Sequence, residues 1–349
     1  MPKLIGRGRQ SPGAFNGALG IFGSIRSFMS VVKEVNFNEV RARAELPPRL
    51  LVIAATDEDG NAVRDAVFGV ESARFVDSQG VDAPLRELGR YDAIVVADSK
   101  RQGIVDRVRR EYPTRSEDVP VFVFTGMKMD DAAAGVRCRQ DITDRLTDLS
   151  PSLGRHLPSC RGAAVKSIID DTAKANAQFA LIANIPAVIP VVGPLVAVGA
   201  DLIVLTKNQV MMLFKIAAVH ERDLRDQFAV MREVIPVAGA GFVWRTLARE
   251  ATSFIPLAAG TVPKVVIAYV GTVVVGRGAE FFYRSGQKAS KEQIHEFRRQ
   301  AMESITRIPL PGKDNTRVAS NGNAPAAVPT PPSSETPAQP ASSPGGNAG

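Results

Sequence analysis

The chain has 349 residues, of which 45% are apolar, 6% aromatic and 23% charged, and its formal net charge is +7. This length and apolar content suffice for two domains with buried cores, and the ordinary share of charged residues excludes a chain that is disordered throughout. Collagen, a coiled coil and a disulfide scaffold are also excluded by the composition, which includes only two cysteines, Cys138 and Cys160. Because the histidines and cysteines show no zinc-ligand spacing, we expect no metal site and no cofactor.

The N-terminal segment is basic and, beyond its first residues, amphipathic. Residues 1–49 contain eight Lys or Arg against three Glu, which favours contact with anionic lipid. We interpret residues 1–13 as a flexible basic arm. Residues 14–48 predict an amphipathic helix, because apolar side chains recur at three- and four-residue steps from Phe15 to Val32. This helix lies at a membrane surface or packs on the following domain. No aromatic-interleaved basic patch or zinc finger accompanies the charge, so nucleic acid is not expected as a partner.

Residues 49–150 alternate between apolar runs typical of buried strands and patterns typical of helices. The strands are predicted at 50–55, 74–77, 93–98 and 121–124, and the helices at 61–70, 82–90, 100–112 and 139–149. Strands that alternate with helices predict an α/β domain with a doubly wound parallel sheet.

Residues 55–63 follow the first predicted strand, where a phosphate-binding loop stands in P-loop proteins. In such a loop the backbone amides and a Lys bind the phosphates, and a Ser or Thr hydroxyl binds magnesium. Here Asn61 follows Gly60 in place of the Lys, and Ala62 replaces the hydroxyl residue. The acidic run 57–59 also places negative charge where a triphosphate would lie. We therefore expect neither tight triphosphate binding nor enzymatic activity.

Two further short motifs follow later strands. Asp77-Ser-Gln-Gly80 follows the second predicted strand in the manner of the Asp-x-x-Gly of GTPases. Lys128 and Asp130 follow the last strand in the manner of Asn-Lys-x-Asp, with Met127 in place of the Asn. Together the three motifs resemble a degenerate Era-like GTPase domain of the P-loop NTPase class. The resemblance implies that a nucleotide site has left remnants at Gly60, Asn61, Ala62, Asp77, Gly80, Lys128 and Asp130. The alternative is a plain α/β domain with polar turns at its strand ends.

From residue 151 to residue 307 the sequence is helical and strongly apolar. Residues 175–200, 251–263 and 265–276 contain no charged side chain. Runs of this kind reach the length of a transmembrane helix. Prolines at 186, 190 and 194 argue against one straight span and favour a hairpin. The alternative is a soluble helical domain whose apolar runs form its core.

Polar side chains that interrupt these apolar helices are candidates for function. Burying such groups is costly unless they are paired or wet, so they indicate either a helix–helix interface or an intramembrane polar site. The set comprises Asp201, Lys207, Asn208, Gln209 and Lys215.

Five separated segments of this half carry a resemblance to a known family, and they occur in the same order as in that family. They are 166–177, 185–195, 205–217, 239–250 and 268–276. Over about 160–305 the chain resembles the bacterial YcjF-like family, domain of unknown function 697. Members of that family are often joined to an Era-like GTPase domain and are often predicted to be membrane proteins. The resemblance implies a membrane location but no particular activity.

These patterns predict an α/β domain over 49–150, then an all-α membrane-associated domain over 151–307, and a disordered Pro/Ala/Ser tail over 308–349. The expected function is that of a non-catalytic scaffold or regulator, a pseudoenzyme at the inner (cytoplasmic) membrane with its α/β domain in the cytoplasm. Its expected partners are anionic lipid and either another protein or further copies of itself. One alternative is a GTP-dependent membrane-remodelling protein with an unusual phosphate loop. Another is a soluble helical interaction protein.

Overall fold

The computed structural model describes residues 32–84, 91–98, 102–111, 119–182, 194–234 and 261–305. Within these ranges the chain forms a parallel sheet with surrounding helices, followed by a group of further helices. The predicted order, α/β and then α, is therefore confirmed. The predicted arm at 1–13, most of the predicted N-terminal helix and the tail at 308–349 lie outside the described residues.

The sheet has four parallel strands in the order β2-β1-β3-β4. They are β1 (Leu50–Ala54), β2 (Val76–Gly80), β3 (Ala93–Ala97) and β4 (Val121–Phe124). Every residue of β1 and β3 is buried, as expected for strands covered on both faces. The chain changes direction across the sheet between β1 and β3, which makes the sheet doubly wound.

Three helices flank the sheet: α2 (Asp57–Phe68), α3 (Ile104–Glu111) and α4 (Ala132–Arg145). One buried cluster joins the β1 side chains Leu50 and Val52 to α2 and α4. The other joins Leu51 and Ile53 to α3. The first cluster also includes Leu153, Leu157 and Cys160. Residues beyond 150 thus complete the hydrophobic core of the α/β part.

Several boundaries differ from those predicted, because polar residues that resemble a loop in the sequence are helix caps. The helix after β1 begins at Asp57 rather than at residue 61, since the Thr56 hydroxyl accepts a hydrogen bond from the Asp59 amide at 3.1 Å. Helix α4 begins at Ala132 rather than at 139, since Asp131 caps the Ala134 amide at 3.0 Å. Acidic side chains are favourable in the first turn of a helix. The predicted helix at 82–90 falls mainly on residues outside the described part.

The helices of the second half form a bundle. They are α5 (Ser150–His156), α6 (Arg161–Ile182), α7 (Pro194–Val219), α8 (Gln227–Val234), α9 (Thr261–Ser285) and α10 (Lys291–Ile305). Among the described residues, one helix, at Val265–Ser285, is long and apolar enough to cross a membrane by length and composition. However, 67% of its most apolar window is buried inside the protein, as in the core helix of a soluble protein.

Contacts along the bundle show the direction of each long helix. The start of α6 lies beside the end of α7, where Arg161 pairs with Glu221. Further along α6, Asn176 accepts a hydrogen bond from Asn208 of α7 at 2.8 Å. Helix α9 runs parallel to α7, because its Thr272 bonds to Asn176 and its Tyr283 stacks on His220. The end of α6 and the starts of α7 and α9 therefore lie at the same end of the bundle.

A segment before the sheet packs along α7. It consists of the helical residues 32–34 and of α1 (Asn38–Glu45), separated by a break at 35–37. The break allows the Phe37 ring to lie 4.4 Å from the Phe214 ring, measured between centroids. Glu34 pairs with Lys207 at 2.9 Å. The helix predicted over 14–48 is thus interrupted in its described part, and that part packs on the bundle.

Candidate functional site

The turn between β1 and α2 corresponds in position to the phosphate-binding loop of P-loop proteins. Only Ala55 and Thr56 separate the strand from the helix, whereas a GxxxxGK[ST] loop needs about eight residues. The Thr56 hydroxyl accepts a hydrogen bond from the Asp59 amide in the first turn of α2. The Asp57 carboxylate accepts a hydrogen bond from the Gly80 amide at 2.6 Å. The amides at this strand–helix junction thus already bind side chains of the chain itself.

Gly60, Asn61 and Ala62 belong to the helix α2 and not to a loop. Gly60 faces β2, and a Cβ atom there would lie 3.4 Å from the Gln79 carbonyl oxygen. Asn61 accepts a hydrogen bond from the Ser78 hydroxyl at 2.6 Å and another from Arg64 at 2.9 Å. Gly60 and Asn61 therefore fix α2 against β2.

Asp77 and Gly80 lie within β2, whereas the sequence placed their motif after the strand. Asp77 accepts a hydrogen bond from the Tyr91 hydroxyl at 2.6 Å. A Cβ atom at Gly80 would lie 3.2 Å from the backbone at Thr56 and Asp57, so Gly80 permits the close approach of β2 to the start of α2. The prediction that this motif follows the strand is wrong, because the strand begins and ends later than its apolar residues indicated.

Lys128 and Asp130 lie in the loop that connects β4 to α4, and both are exposed. The Lys128 carbonyl accepts a hydrogen bond from the Asp131 amide at 3.2 Å. The Ala134 amide holds the pKa of Asp131 below its usual range. Among the described residues, no hydrogen bond joins Lys128 or Asp130 to α2 or β2. The structure therefore brings Gly60, Asn61 and Gly80 together where α2 meets β2. Ala62 lies on the other side of α2, and the Asp77 side chain faces the opposite side of the sheet, where it meets Tyr91. Lys128 and Asp130 lie in a separate loop.

A buried polar cluster lies where α6, α7 and α9 meet. Asn176 and Thr272 have 0% exposure, and Gln209 has 6%. Asn208 donates to Asn176 at 2.8 Å, and Asn176 donates to the Thr272 hydroxyl at 2.9 Å. Thr272 donates to the Ala268 carbonyl at 2.7 Å. We call Asn176, Asn208, Gln209 and Thr272 the polar layer, because they join three helices at one level of the bundle.

The sequence singled out two members of this layer, Asn208 and Gln209, but not their partners. Asn176 is one of three polar amide residues in the uncharged run 175–200, with Gln178 and Asn184, and could have been noticed for that reason. Thr272 gives no such signal. A threonine hydroxyl can bond to a carbonyl of its own helix, as Thr272 does to Ala268, so a threonine is not unusual in an apolar helix. Of the other predicted polar residues, Lys207 pairs with Glu34 and Lys215 is half-buried. The side chain of Asp201 lies outside the described part.

A second polar contact closes the opposite end of the bundle. His220 stacks on Tyr283, with ring centroids 5.3 Å apart. The His220 Nε2 and the Tyr283 hydroxyl are buried without a hydrogen-bond partner in the described part of the chain. Burial, and then the charge of Arg161, lower the pKa of His220, so the imidazole is neutral near pH 7. Around this contact lie charged groups such as Arg161, Glu221 and Glu280.

The described residues include no group of His, Cys, Asp or Glu able to hold a metal ion. Cys138 and Cys160 are free thiols, and burial raises the pKa of each to about 12. Such thiols are poor nucleophiles and poor metal ligands. Searches with the whole chain found no matching protein-family model, curated protein or solved structure.

Proposed function

We propose that this protein is a non-catalytic scaffold or regulator, anchored to the bacterial inner (cytoplasmic) membrane by one end of its helical bundle. The observation that carries the proposal is the common end formed by the last turn of α6 and the first turns of α7 and α9. We call this the apolar end. Asp201 is the only charged residue in 175–206, and Lys264 is the only one in 251–276.

The length of helix beyond the polar layer fits partial insertion. From Asn208 back to the start of α7 is about 21 Å, and from Thr272 back to the start of α9 is about 17 Å, at 1.5 Å per residue. Half of the hydrocarbon core of a bilayer is about 15 Å thick. The polar layer would therefore lie near the membrane surface, with the apolar end inside one leaflet.

The opposite end of the bundle is suited to water. Arg161 pairs with Glu221, Arg222 pairs with Glu233 at 2.8 Å, and Arg277 pairs with Glu280 at 2.7 Å. The α/β part is attached at this end, since the Ser159 hydroxyl donates to the Phe68 carbonyl. A hairpin insertion that leaves residues 160–174, 220–233 and 277–305 in the cytoplasm is consistent with this polarity.

The non-catalytic part of the proposal rests on the short β1–α2 turn. Side chains of the protein already accept hydrogen bonds from amides that a triphosphate would need. The acidic side chains in the first turn of α2 would repel the negative charge of the triphosphate. We infer that the α/β domain is a degenerate relative of Era-like GTPases that keeps a central β1 followed directly by a helix. The proposed relationship of the bundle to the YcjF-like family rests on the five sequence segments.

A soluble helical interaction protein is the second candidate function. It is favoured by the burial of α9, of whose most apolar window 67% is covered by the rest of the protein. In this case the apolar end would be covered by protein rather than by lipid.

Cysteine labelling in bacterial cells tests the hairpin. Arg225→Cys and Ser285→Cys are introduced singly into a chain whose Cys138 and Cys160 are replaced by Ala. Both positions are exposed, and both lie at the end of the bundle opposite to the apolar end. An impermeant thiol reagent should label neither in intact cells and both after the cells are opened. Labelling at position 225 in intact cells would refute the hairpin.

A further inference from the structure

The strand β4 lies at the outer edge of the sheet, and no other strand of the described residues pairs with that edge. In the described part of the chain β4 forms a ladder with β3 alone. Its sequence is Val-Phe-Val-Phe, without the charged residue or proline that normally protects an edge strand. Val123 is 40% exposed although it lies within the strand.

Exposed apolar side chains lie on this edge strand and on the loop that follows it. Of the five exposed large hydrophobic residues of the described chain, Val123 lies on β4 and Met127 on the loop after β4. Met127 is 94% exposed. Exposed apolar side chains beside an unpaired strand edge are typical of an interaction site.

The orientation of α4 places charged side chains toward the same edge. Arg139 donates to the Ala66 carbonyl at 3.1 Å, and a Cβ atom at Gly135 would also contact that carbonyl. This side of α4 therefore faces α2. At 100° per residue, Arg137 and Asp141 lie on the opposite side, which faces away from α2 and toward the free edge of β4. Both are exposed.

We propose that β4 pairs antiparallel with β4 of a second copy of this chain across a two-fold axis. The two sheets then form one continuous sheet, and the two α4 helices lie side by side in opposite directions. Arg137 of one copy faces Asp141 of the other, and the reverse contact follows by symmetry. This charge complementarity identifies a second copy as the occupant. The inference goes beyond the proposed function, and it would stand even if the protein proved soluble.

Charge reversals test this arrangement on the full-length chain, by light scattering coupled to gel filtration in mild detergent. The wild type should be a dimer. Arg137→Asp and Asp141→Arg should each weaken the dimer by about tenfold or more, because each replaces two attractive contacts by two repulsive ones. An equimolar mixture of the two variants, one carrying an affinity tag, should form a heterodimer in which both contacts are restored. A salt bridge within one α4 could not produce this result.

Matched controls are Lys174→Asp and Asp171→Arg, which reverse exposed charges on α6. Both should leave the dimer intact, and thermal unfolding should show that all four variants are folded. Val123→Lys, which charges the strand edge, should also give monomers. The proposal is overturned by a monomeric wild type, by single reversals that dissociate on dilution no more readily than the wild type, or by a mixture that associates no better than either variant alone.

Discussion

The polar side chains of the polar layer stabilise the bundle because their neighbours complete their hydrogen bonds. Asn176 has 0% exposure, and it bonds to Asn208 and Thr272 on two other helices. A buried polar group that loses its partner costs about 1–3 kcal/mol. The polar layer therefore fixes the relative height of α6, α7 and α9, because a shift of one helix would break these bonds.

Asn176→Ala should lower the free energy of unfolding by about 2 kcal/mol, because Thr272 and Asn208 lose their partner. Denaturant titration in the same detergent or lipid measures this change. The control Lys174→Ala lies two residues away on the exposed side of α6 and should change little. A cost at Asn176 no larger than that of the control would contradict the importance of the layer.

The two cysteines should be inert in the folded protein. Burial raises the pKa of Cys138 and Cys160 to about 12, so almost no thiolate exists at pH 8, whereas an unfolded thiol with a pKa near 8.5 is partly ionised there. A colourimetric thiol reagent should react with neither group in the native chain and with both in strong denaturant. Stability should fall as pH rises from about 9 toward 12, because the unfolded thiols ionise first. Rapid reaction of the native chain would contradict their burial.

At the scale of single elements, close contacts between helices and strands determine what the sequence tolerates. Gly135 of α4 lies directly against α2, where a Cβ atom would be 2.2 Å from the Ala66 carbonyl oxygen. That oxygen is backbone and cannot move without moving α2. Gly162 of α6 has no atom within 4 Å of the same position. A methyl group should therefore be tolerated at Gly162 but not at Gly135.

Gly135→Ala should destabilise the α/β domain by about 2 kcal/mol through overpacking. Gly162→Ala should instead stabilise the protein by about 0.5 kcal/mol, because alanine is the better helix former and the space is open. Thermal unfolding of both variants measures the two signs. A stabilising effect at Gly135 would show that α2 and α4 are not in contact.

The short β1–α2 junction should bind a nucleotide only weakly. The full-length chain should bind GTP or GDP with magnesium no more tightly than roughly millimolar, which is only about 4 kcal/mol of affinity. Calorimetry on the full chain is the appropriate measurement, because Leu153 and Cys160 complete the core and a fragment ending at 150 would lack them. A micromolar dissociation constant would favour the GTP-dependent alternative instead.

The sequence alone was sufficient to locate β1 and β3, because a strand buried on both faces is a continuous apolar run. It also located β4, whose four residues are all apolar although Val123 is exposed. It misplaced β2, since the polar residues Asp77 to Gln79 stand in the strand. Asp77 bonds to Tyr91 and Ser78 bonds to Asn61 of α2, contacts that no local pattern shows. Helix starts were misplaced where Thr56 and Asp131 serve as caps. Asn208 and Gln209 could be identified as unusual, but their bonds to Asn176 and Thr272 depend on tertiary packing that no local pattern shows.

At the scale of the whole molecule, the proposal depends on the difference between the two ends of the bundle. Ion pairs and the α/β part occupy one end, and apolar sequence with two charged residues, Asp201 and Lys264, occupies the other. The N-terminal segment also follows this axis: from Phe37 back to Glu34 its contacts move along α7 from Phe214 to Lys207, toward the apolar end. The first described residues of the chain therefore lie nearer the apolar end than Phe37 does.

Membrane fractionation of the full-length chain in a bacterial host tests the central claim most directly. Membranes are collected and washed first with high salt and then with alkaline carbonate, and the protein is followed in pellet and supernatant. Insertion of the apolar end predicts that the chain stays in the pellet through both washes and is released by detergent. Complete release by the salt wash alone, or recovery in the soluble fraction before any wash, would contradict insertion and favour the soluble interaction protein.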